Sequence, residues 1–124
     1  MDFISKKTSK DIKLGGQNIF WDRQGPYTGE ISPQMLKDIG CDYVILGHSE
    51  RRKNFKETDE IINKKIKAVL KSRLKIILCV GEESRNSFNK DGRWTGEVDL
   101  VLREQVLRCL EDIDESQMAN IIIA

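Results

Sequence analysis

The chain contains a single histidine, His48, and the sequence around it is the first candidate for chemistry. The four residues before Gly47, Tyr43–Leu46, are continuously apolar, as expected of a strand buried on both faces. His48 follows that glycine directly. Because catalytic groups in α/β proteins lie where parallel strands meet their carboxyl-terminal loops, His48 is a candidate catalytic residue. Taken alone, however, a single histidine in a folded domain is more often a hydrogen-bonded structural residue.

Length and charge limit the classes of protein that need to be considered. With 124 residues the chain can bury one core, so we predict a single domain. Its 21 basic and 20 acidic residues give a net charge of +1, which argues against a nucleic-acid or polyanion partner. No apolar run approaches the roughly 18 residues of a membrane span, and residues 1–10 lack the apolar stretch of a signal peptide. We therefore expect a cytoplasmic protein without a membrane partner.

The cysteines indicate a reducing environment. They number three, Cys41, Cys79 and Cys109, and two of them fall in a predicted apolar strand and a predicted helix. An odd number at such positions favours buried, reduced thiols. The sequence has no CxxC pair and no cluster of cysteine and histidine, so we predict no structural zinc site.

Apolar runs and helical periodicity alternate along the chain. We predict strands over residues 12–14, 43–46, 75–80 and 120–124, and helices over residues 33–39, 59–73 and 96–112. Ser32 as N-cap, Pro33 at the first helical position and Gly40 after the last turn delimit the first helix. This β-α-β-α-β-α-β order with buried strands is typical of an α/β protein with a parallel sheet and helical crossovers.

The two longer helices are predicted to be amphipathic. In residues 59–73 the inward positions are Ile61, Ile62, Ile66, Val69 and Leu70, and the lysines at the other positions, Lys64, Lys65, Lys67 and Lys71, are expected to form a solvated face. In residues 96–112 and just beyond, the inward positions are Val98, Val101, Leu102, Val106, Cys109, Leu110 and Ile113. A polar segment of unusual length, residues 83–95, is expected to be a surface loop.

Several motifs together resemble one family. Residues 47–52 read GHSERR, residues 14–18 LGGQN, residues 25–32 GPYTGEIS and residues 77–82 ILCVGE. In order and spacing they resemble the triosephosphate isomerases over residues 11–124, with Pro26 where alanine is more usual. The resemblance implies a partial (β/α)8 barrel with parallel strands, roughly half of the barrel, running from the family's third strand to the start of its sixth. Residues 1–124 would form this single partial domain, and residues 83–93 resemble an insertion.

The resemblance also implies an activity. Members of this family interconvert dihydroxyacetone phosphate and glyceraldehyde 3-phosphate through an enediolate, without a cofactor, in glycolysis and gluconeogenesis; a glutamate takes the proton and a neutral histidine polarises the carbonyl. His48 matches that histidine, and a helix beginning at residues 49–51 would favour its neutral form. Glu50 matches a carboxylate that faces the active-site lysine and histidine, and Ser49 is expected to support the turn or cap the helix.

Other matched positions imply a homodimer or another self-association. Thr28, Glu30 and Arg51 resemble residues that pair at the family's dimer interface, and Tyr27 and Gln17 lie near the same surface. For Arg51 a plain surface ion pair is the alternative. Cys79 is interpreted as core packing near the site.

Two of the family's catalytic groups have no match in this sequence. The lysine of the first loop belongs to a strand that does not match, and the catalytic glutamate would follow the sixth strand. We therefore expect the 124 residues to be inactive alone, although the complete enzyme would bind a triose phosphate. The alternative is a non-catalytic half-barrel that self-associates or complements a partner chain, because open strand edges promote association.

Overall fold

A computed structural model describes residues 11–82, 90–92 and 96–124. Its centre is a four-stranded parallel sheet in the order β1-β2-β3-β4. The strands are β1 (Gly15–Gly16), β2 (Tyr43–Leu46), β3 (Lys75–Leu78) and β4 (Ile121–Ile123). The sheet is open, so β1 and β4 each pair on one side only within the described part of the chain. The predicted parallel α/β architecture is confirmed.

Helices connect successive strands. They are α1 (Pro33–Asp38), α2 (Ser49–Phe55), α3 (Asp59–Leu70) and α4 (Glu97–Cys109), and a 3₁₀ helix (Glu115–Asn120) precedes β4. The predicted start of α1 is confirmed, since Pro33 is its first residue and the hydroxyl of Ser32 accepts a hydrogen bond from the Met35 amide at 3.3 Å. Gly40 follows the helix with φ +85°, the left-handed conformation that glycine adopts without strain.

The core lies between the sheet and α3. Most of its fully buried side chains come from the two central strands, from α3 and from the end of α4: Val44, Leu46, Ile76, Leu78, Ile62, Ile66, Val69 and Cys109. Ile19, after β1, and Leu36, in α1, complete the set. The four from β2 and β3 alternate along their strands, and those from α3 recur at helical spacing. The burial predicted from the two apolar runs and from the apolar face of α3 is therefore confirmed for these side chains.

The strand bounds differ from the prediction at the start of the sheet. Residues 12–14 are not a strand, and Ile12 is 61% exposed. Pairing begins at Gly15 opposite Tyr43, and residues further upstream have no strand beside them because β2 begins at Tyr43. The strands predicted over 75–80 and 120–124 are confirmed with shorter bounds.

The prediction of a wholly solvated lysine face on α3 is wrong for Lys65, which is 3% exposed. Position 65 lies three residues after Ile62 and four before Val69, so helical geometry places it on the apolar face. Asn63 is buried too, and its amide donates to the carbonyl oxygens of Cys109 and Glu111, each at 2.9 Å. These two bonds fasten the end of α4 to α3.

The apolar face predicted for the last long helix is only partly buried. Cys109 is buried and Leu102, Val106, Leu110 and Ile113 are half-buried, but Val101 is 41% exposed. Helix α4 packs on α3, and no described element covers the side that carries Val101. The predicted position Val98 and most of the loop 83–95 lie outside the residues whose side chains are described.

All three cysteines have free thiols. Cys41 and Cys109 are buried as predicted, whereas Cys79 is half-buried just after β3. Among the described residues no helix is both long and apolar enough to cross a membrane.

Candidate active site

A tight turn at the carboxyl end of β2 carries His48. Gly47 has φ +75°, and a Cβ at this position would lie 2.8 Å from the carbonyl oxygen of Cys79 and 3.2 Å from Nη2 of Arg52. A side chain is therefore excluded both by the left-handed backbone and by a neighbouring strand that cannot shift freely. The turn ends β2 and directs the chain into α2, which begins at the residue after His48.

His48 is itself the N-cap of α2. Its Nδ1 accepts a hydrogen bond from the Glu50 amide at 3.3 Å. A nitrogen that accepts carries no proton, so in this arrangement the ring carries its proton on Nε2. The side chain is 48% exposed, and Nε2 has no hydrogen-bond partner in the described part of the chain. The imidazole can therefore donate from Nε2 to a bound oxygen.

The structure brings Glu50 close to His48 and changes the interpretation of Ser49. The Oε2 atom of Glu50 lies 3.9 Å from Nδ1 of His48, and the Glu50 side chain is 78% exposed. Because the facing ring nitrogen is an acceptor and the carboxylate is exposed, this approach contributes little to stability. Ser49 is the first residue of α2, not its cap, because the imidazole takes the capping position. Of the two roles expected for Ser49, the capping role is therefore wrong.

Arg52 fastens the histidine turn to the start of α3. Its Nε donates to the carbonyl oxygen of Gly47 at 2.8 Å, and its Nη1 donates to Oδ1 of Asp59 at 2.5 Å. The Arg52 and Asp59 side chains are only 13% and 17% exposed. Because the guanidinium is planar, these two bonds fix its orientation and, with it, the position of the Gly47 carbonyl.

Cys109 completes this cluster from the end of α4. Its thiol donates to Oδ1 of Asp59 at 3.4 Å, and Nη2 of Arg52 lies 3.7 Å from the same sulfur. Burial and then the Asp59 charge raise the pKa of Cys109 to about 12, although Arg52 acts in the opposite direction. The thiol is therefore protonated at neutral pH and serves as a donor, not a nucleophile.

A second buried network surrounds Glu57, between α2 and α3. Its Oε1 accepts from Nε of Arg51 at 2.6 Å and from Nζ of Lys65 at 2.5 Å. Lys65 also donates to Oδ1 of Asn18 at 2.6 Å, which connects the loop after β1 to α3. The second oxygen, Oε2 of Glu57, is buried and has no partner within the described residues.

Burial and hydrogen bonding shift the pKa values of both groups of the central pair, Glu57 and Lys65, downward. Burial raises the pKa of Glu57, but hydrogen bonds from Lys65 and Arg51 and the charges of both outweigh it, so the net shift is downward. Burial lowers the pKa of Lys65, and the contact with Glu57 opposes that shift only in part. A carboxylate and an ammonium thus share one buried contact.

The residues expected at a subunit interface lie mainly on one loop. Tyr27, Thr28 and Glu30 are exposed, as is Gln17. Arg51 is different, since it bonds Glu57 and its guanidinium stacks 4.5 Å from the Phe55 ring centroid. The ion pair of Arg51 with Glu57 lies within the chain and is partly buried. A contact of Arg51 with a second subunit therefore stays a prediction.

Sequence reasoning missed the two buried clusters. Arg52, Asp59 and Lys65 make contacts that no local sequence pattern predicts. The position of Lys65 on the apolar face of α3 does, however, indicate that it is buried. Among residues 11–82, 90–92 and 96–124 no group of three or more His, Cys, Asp or Glu side chains could hold a metal ion.

Parallel strands joined by helices, with a histidine at the carboxyl end of one strand, are the architecture expected of half of a β/α barrel. The family model described as triosephosphate isomerase matches residues 1–124. The chain belongs to the triosephosphate isomerase family.

Individual relatives agree with this assignment. The triosephosphate isomerase of Dictyoglomus thermophilum is 48% identical over 124 residues, which are 98% of this chain and 47% of that protein. That of Chloroherpeton thalassium is 49% identical over 113 residues, or 91% of this chain and 42% of that protein. The crystal structure of the Bartonella henselae enzyme superposes with a TM-score of 0.76 at 43% identity, covering 90% of this chain and 44% of that one. The chain thus spans about half the length of the relatives it matches.

Replacing Arg52 with lysine tests whether the guanidinium positions His48. We expect Arg52→Lys to lower the free energy of unfolding by about 2 kcal/mol, because one ammonium cannot donate to both the Gly47 carbonyl and Asp59. The chain has one histidine, so ¹⁵N NMR at pH 8 reports His48 alone. Its two ring nitrogens should give well-separated signals in the wild type and converge in the variant as the tautomers average.

The matched control is Arg108→Lys, since Arg108 pairs with Glu104 on an exposed helix surface. It should change neither stability nor the His48 signals. A destabilised Arg52→Lys protein with unchanged His48 nitrogens would show that Arg52 holds the fold but does not position the ring.

Replacing Glu57 with glutamine tests the buried ion pair. At pH 7 we expect Glu57→Gln to lower the free energy of unfolding by about 3 kcal/mol, because Lys65 then remains buried beside a neutral amide. The folded-state pKa of Glu57 lies below its unfolded value of about 4.3. The carboxylate therefore stabilises the fold above that pH, and its contribution is lost as the pH falls through the lower folded-state value.

Urea denaturation at pH 7, 5 and 3.5 measures this effect. The difference between wild type and Glu57→Gln should be constant from pH 7 to 5 and smaller at pH 3.5. Glu104→Gln, which alters an exposed carboxylate, should match the wild type throughout. A difference for Glu57→Gln that stays constant down to pH 3.5 would contradict a charge-based contribution.

Proposed function

We propose that this chain forms the half of a triosephosphate isomerase that carries the electrophilic histidine. The complete enzyme would interconvert dihydroxyacetone phosphate and glyceraldehyde 3-phosphate in the cytoplasm, as a step of glycolysis and gluconeogenesis. One observation carries the proposal: Nδ1 of His48 accepts from the Glu50 amide, which leaves Nε2–H as a donor at the carboxyl end of β2. Family membership supplies the reaction.

The chemistry assigned to His48 is electrostatic. When a proton leaves the carbon next to the substrate carbonyl, negative charge develops on the carbonyl oxygen of the enediolate. A fixed Nε2–H donor stabilises that oxygen without needing to reorganise during the reaction. The general base and the contacts to the substrate phosphate are assigned to the part of the family's barrel that this chain does not match.

The neighbouring residues have supporting roles in this proposal. The Glu50 amide orients the ring, and the Glu50 carboxylate, 3.9 Å from Nδ1, is close enough to face an active-site lysine from elsewhere in the barrel. Ser49 supports the turn as the first residue of α2. Arg52 holds the Gly47 carbonyl in place.

The homodimer is proposed through the loop that holds Tyr27, Thr28 and Glu30, with Gln17 and Arg51 alongside. Tyr27 and Ile31 are each 41% exposed and Met35 is 56% exposed, so the loop and the start of α1 present apolar surface to solvent. Exposed apolar and aromatic side chains rimmed by polar residues favour contact with another protein surface.

A chimera tests the catalytic role. This chain would replace the matched half of the Dictyoglomus thermophilum enzyme, with which it is 48% identical. We expect the chimera to isomerise glyceraldehyde 3-phosphate and His48→Gln to lower kcat by about 10²- to 10³-fold with a smaller change in KM, because the donor acts mainly on the developing charge. A coupled dehydrogenase assay measures both constants.

The control is Lys53→Gln, an exposed change on the same helix, which should leave kcat unchanged. A folded, active chimera that is insensitive to His48→Gln would overturn the assignment. The isolated 124-residue chain should show no turnover, and turnover lost on His48→Gln would contradict that expectation.

The open sheet favours a second candidate for the isolated chain, a half-barrel that self-associates or complements a partner. Strands β1 and β4 each have one unpaired edge within the described chain. In β4, Ile122 and Ile123 are 48% and 51% exposed. Apolar edge strands without charged residues promote pairing with another chain.

Molecular mass in solution tests this candidate. We expect the wild-type chain to exceed 14.3 kDa in sedimentation equilibrium and to dissociate on dilution. Ile122→Lys should shift it toward the monomer, because a lysine on the edge strand opposes association. Leu107→Lys, the same kind of change at a 62% exposed site on α4, should associate like the wild type. A 14.3 kDa species at every concentration would refute self-association.

A further inference from the structure

A groove on the helical side of the molecule gathers an unusual number of positive charges. It has a volume of about 520 Å³ and lies between α1 and the second half of α3, with Trp21 in its wall. Six cationic side chains line it, and we call it the basic groove: Arg23, Lys37, Lys64, Lys67, Lys71 and Arg73. His48 is not among its residues.

The charge in this groove is not balanced locally. Asp22 is the one acidic residue among its lining residues, and its carboxylate already accepts a hydrogen bond from Tyr27. The whole chain carries a net charge of only +1, so the rest of the molecule is net negative and the basic groove concentrates the positive charge. A cleft lined by one sign of charge raises the local concentration of ions of the opposite sign.

Local contacts explain three of the six cations. Lys37 donates to the Ser72 carbonyl at 3.0 Å, Lys67 lies 3.6 Å from Asp112, and Lys64 is 5.6 Å from the centre of the Trp21 ring. The ends of α1 and α3 also lie here, and each helix carboxyl terminus offsets about half a positive charge. Together with Asp112, two such termini offset about two charges of a net five, so about three remain.

The remaining three cations make no local contact that explains them. The side chains of Arg23, Lys71 and Arg73 form no hydrogen bond or ion pair within the described part of the chain. Arg73 moreover has φ +64°, a backbone conformation that is costly for a residue with a side chain. Three unpaired cations lining one cavity repel one another, and a bound anion would remove that repulsion.

We propose that the basic groove binds a small soluble anion carrying two or more phosphate groups. Its volume lies within the range of sites for small molecules. A monophosphate group carries about −1.5 to −2 charges at neutral pH, so one group leaves part of the remaining excess of about three charges unmatched and two groups match it. The modest net charge of the chain argues against a long polyanion such as nucleic acid. This site is independent of the isomerase reaction.

Trp21 supplies the probe for a binding experiment. The chain has two tryptophans, and Trp94→Phe leaves Trp21 alone. An anion that attracts Lys64 away from the indole should change its fluorescence, because the ammonium lies 5.6 Å from the ring centroid. We expect sodium tripolyphosphate to give a saturable one-site titration at 0.1 M salt that weakens as salt is added. Inorganic phosphate should bind at least tenfold more weakly.

Two double variants distinguish binding in the basic groove from attraction by the overall charge of the protein. Lys71→Gln combined with Arg73→Gln should weaken tripolyphosphate binding at least tenfold. Lys13→Gln combined with Lys53→Gln removes the same charge from exposed positions outside the basic groove and should have little effect. Circular dichroism would confirm that both proteins are folded.

Three results would overturn the proposal. The first is equal weakening in both double variants, which would show attraction by net charge alone. The second is no saturation by tripolyphosphate in either fluorescence or calorimetry. The third is binding to vesicles that contain phosphoinositides without binding to tripolyphosphate, which would assign the groove to a lipid surface.

Discussion

The two hydrogen bonds of the Arg52 guanidinium are the constraint on which the candidate site depends. They join the Gly47 carbonyl, at the end of a central strand, to Asp59, at the start of the longest helix on the sheet. Because Gly47 needs a left-handed backbone and has no room for a side chain, the turn has a single conformation once its carbonyl is held. His48 then follows as the N-cap of α2, where its Nδ1 accepts from the Glu50 amide of that helix. A ring on a flexible loop would not keep one tautomer.

The parts of the fold that sequence predicted are those with local causes. Each of them depends on only a few neighbouring residues. They are the apolar runs of β2 and β3, the serine and proline at the start of α1, and the position of His48 after a strand. Ser49 is expected either to support the turn or to cap α2, and the structure places the cap one residue earlier, where the Nδ1 atom of His48 accepts the Glu50 amide. Serine is a common N-cap and histidine is not, so residue type alone does not predict this cap.

The parts that sequence did not predict depend on residues distant along the chain. Lys65 looked like one of several solvated lysines, but it reaches Asn18, which lies 47 positions earlier, as well as Glu57. Cys109 contacts Arg52 and Asp59 at separations of 57 and 50 positions. Only the folded chain places such groups together. The exposed Val101 is the opposite case, since its helical spacing predicts burial but none of the described elements covers it.

The Glu57 network shows why a protein would retain buried charges near such a site. A buried ion pair is a poor source of stability, because the desolvation of both ions offsets most of their attraction. Its geometric demands, however, are strict. Glu57 accepts hydrogen bonds from Arg51 in α2 and from Lys65 in α3, and Lys65 also donates to the loop after β1. All of these bonds form only when the three segments are in their correct relative positions, which we call their register. A hydrophobic cluster would tolerate small shifts among them. Since α2 begins directly after His48, that register also sets the direction of the imidazole that caps it.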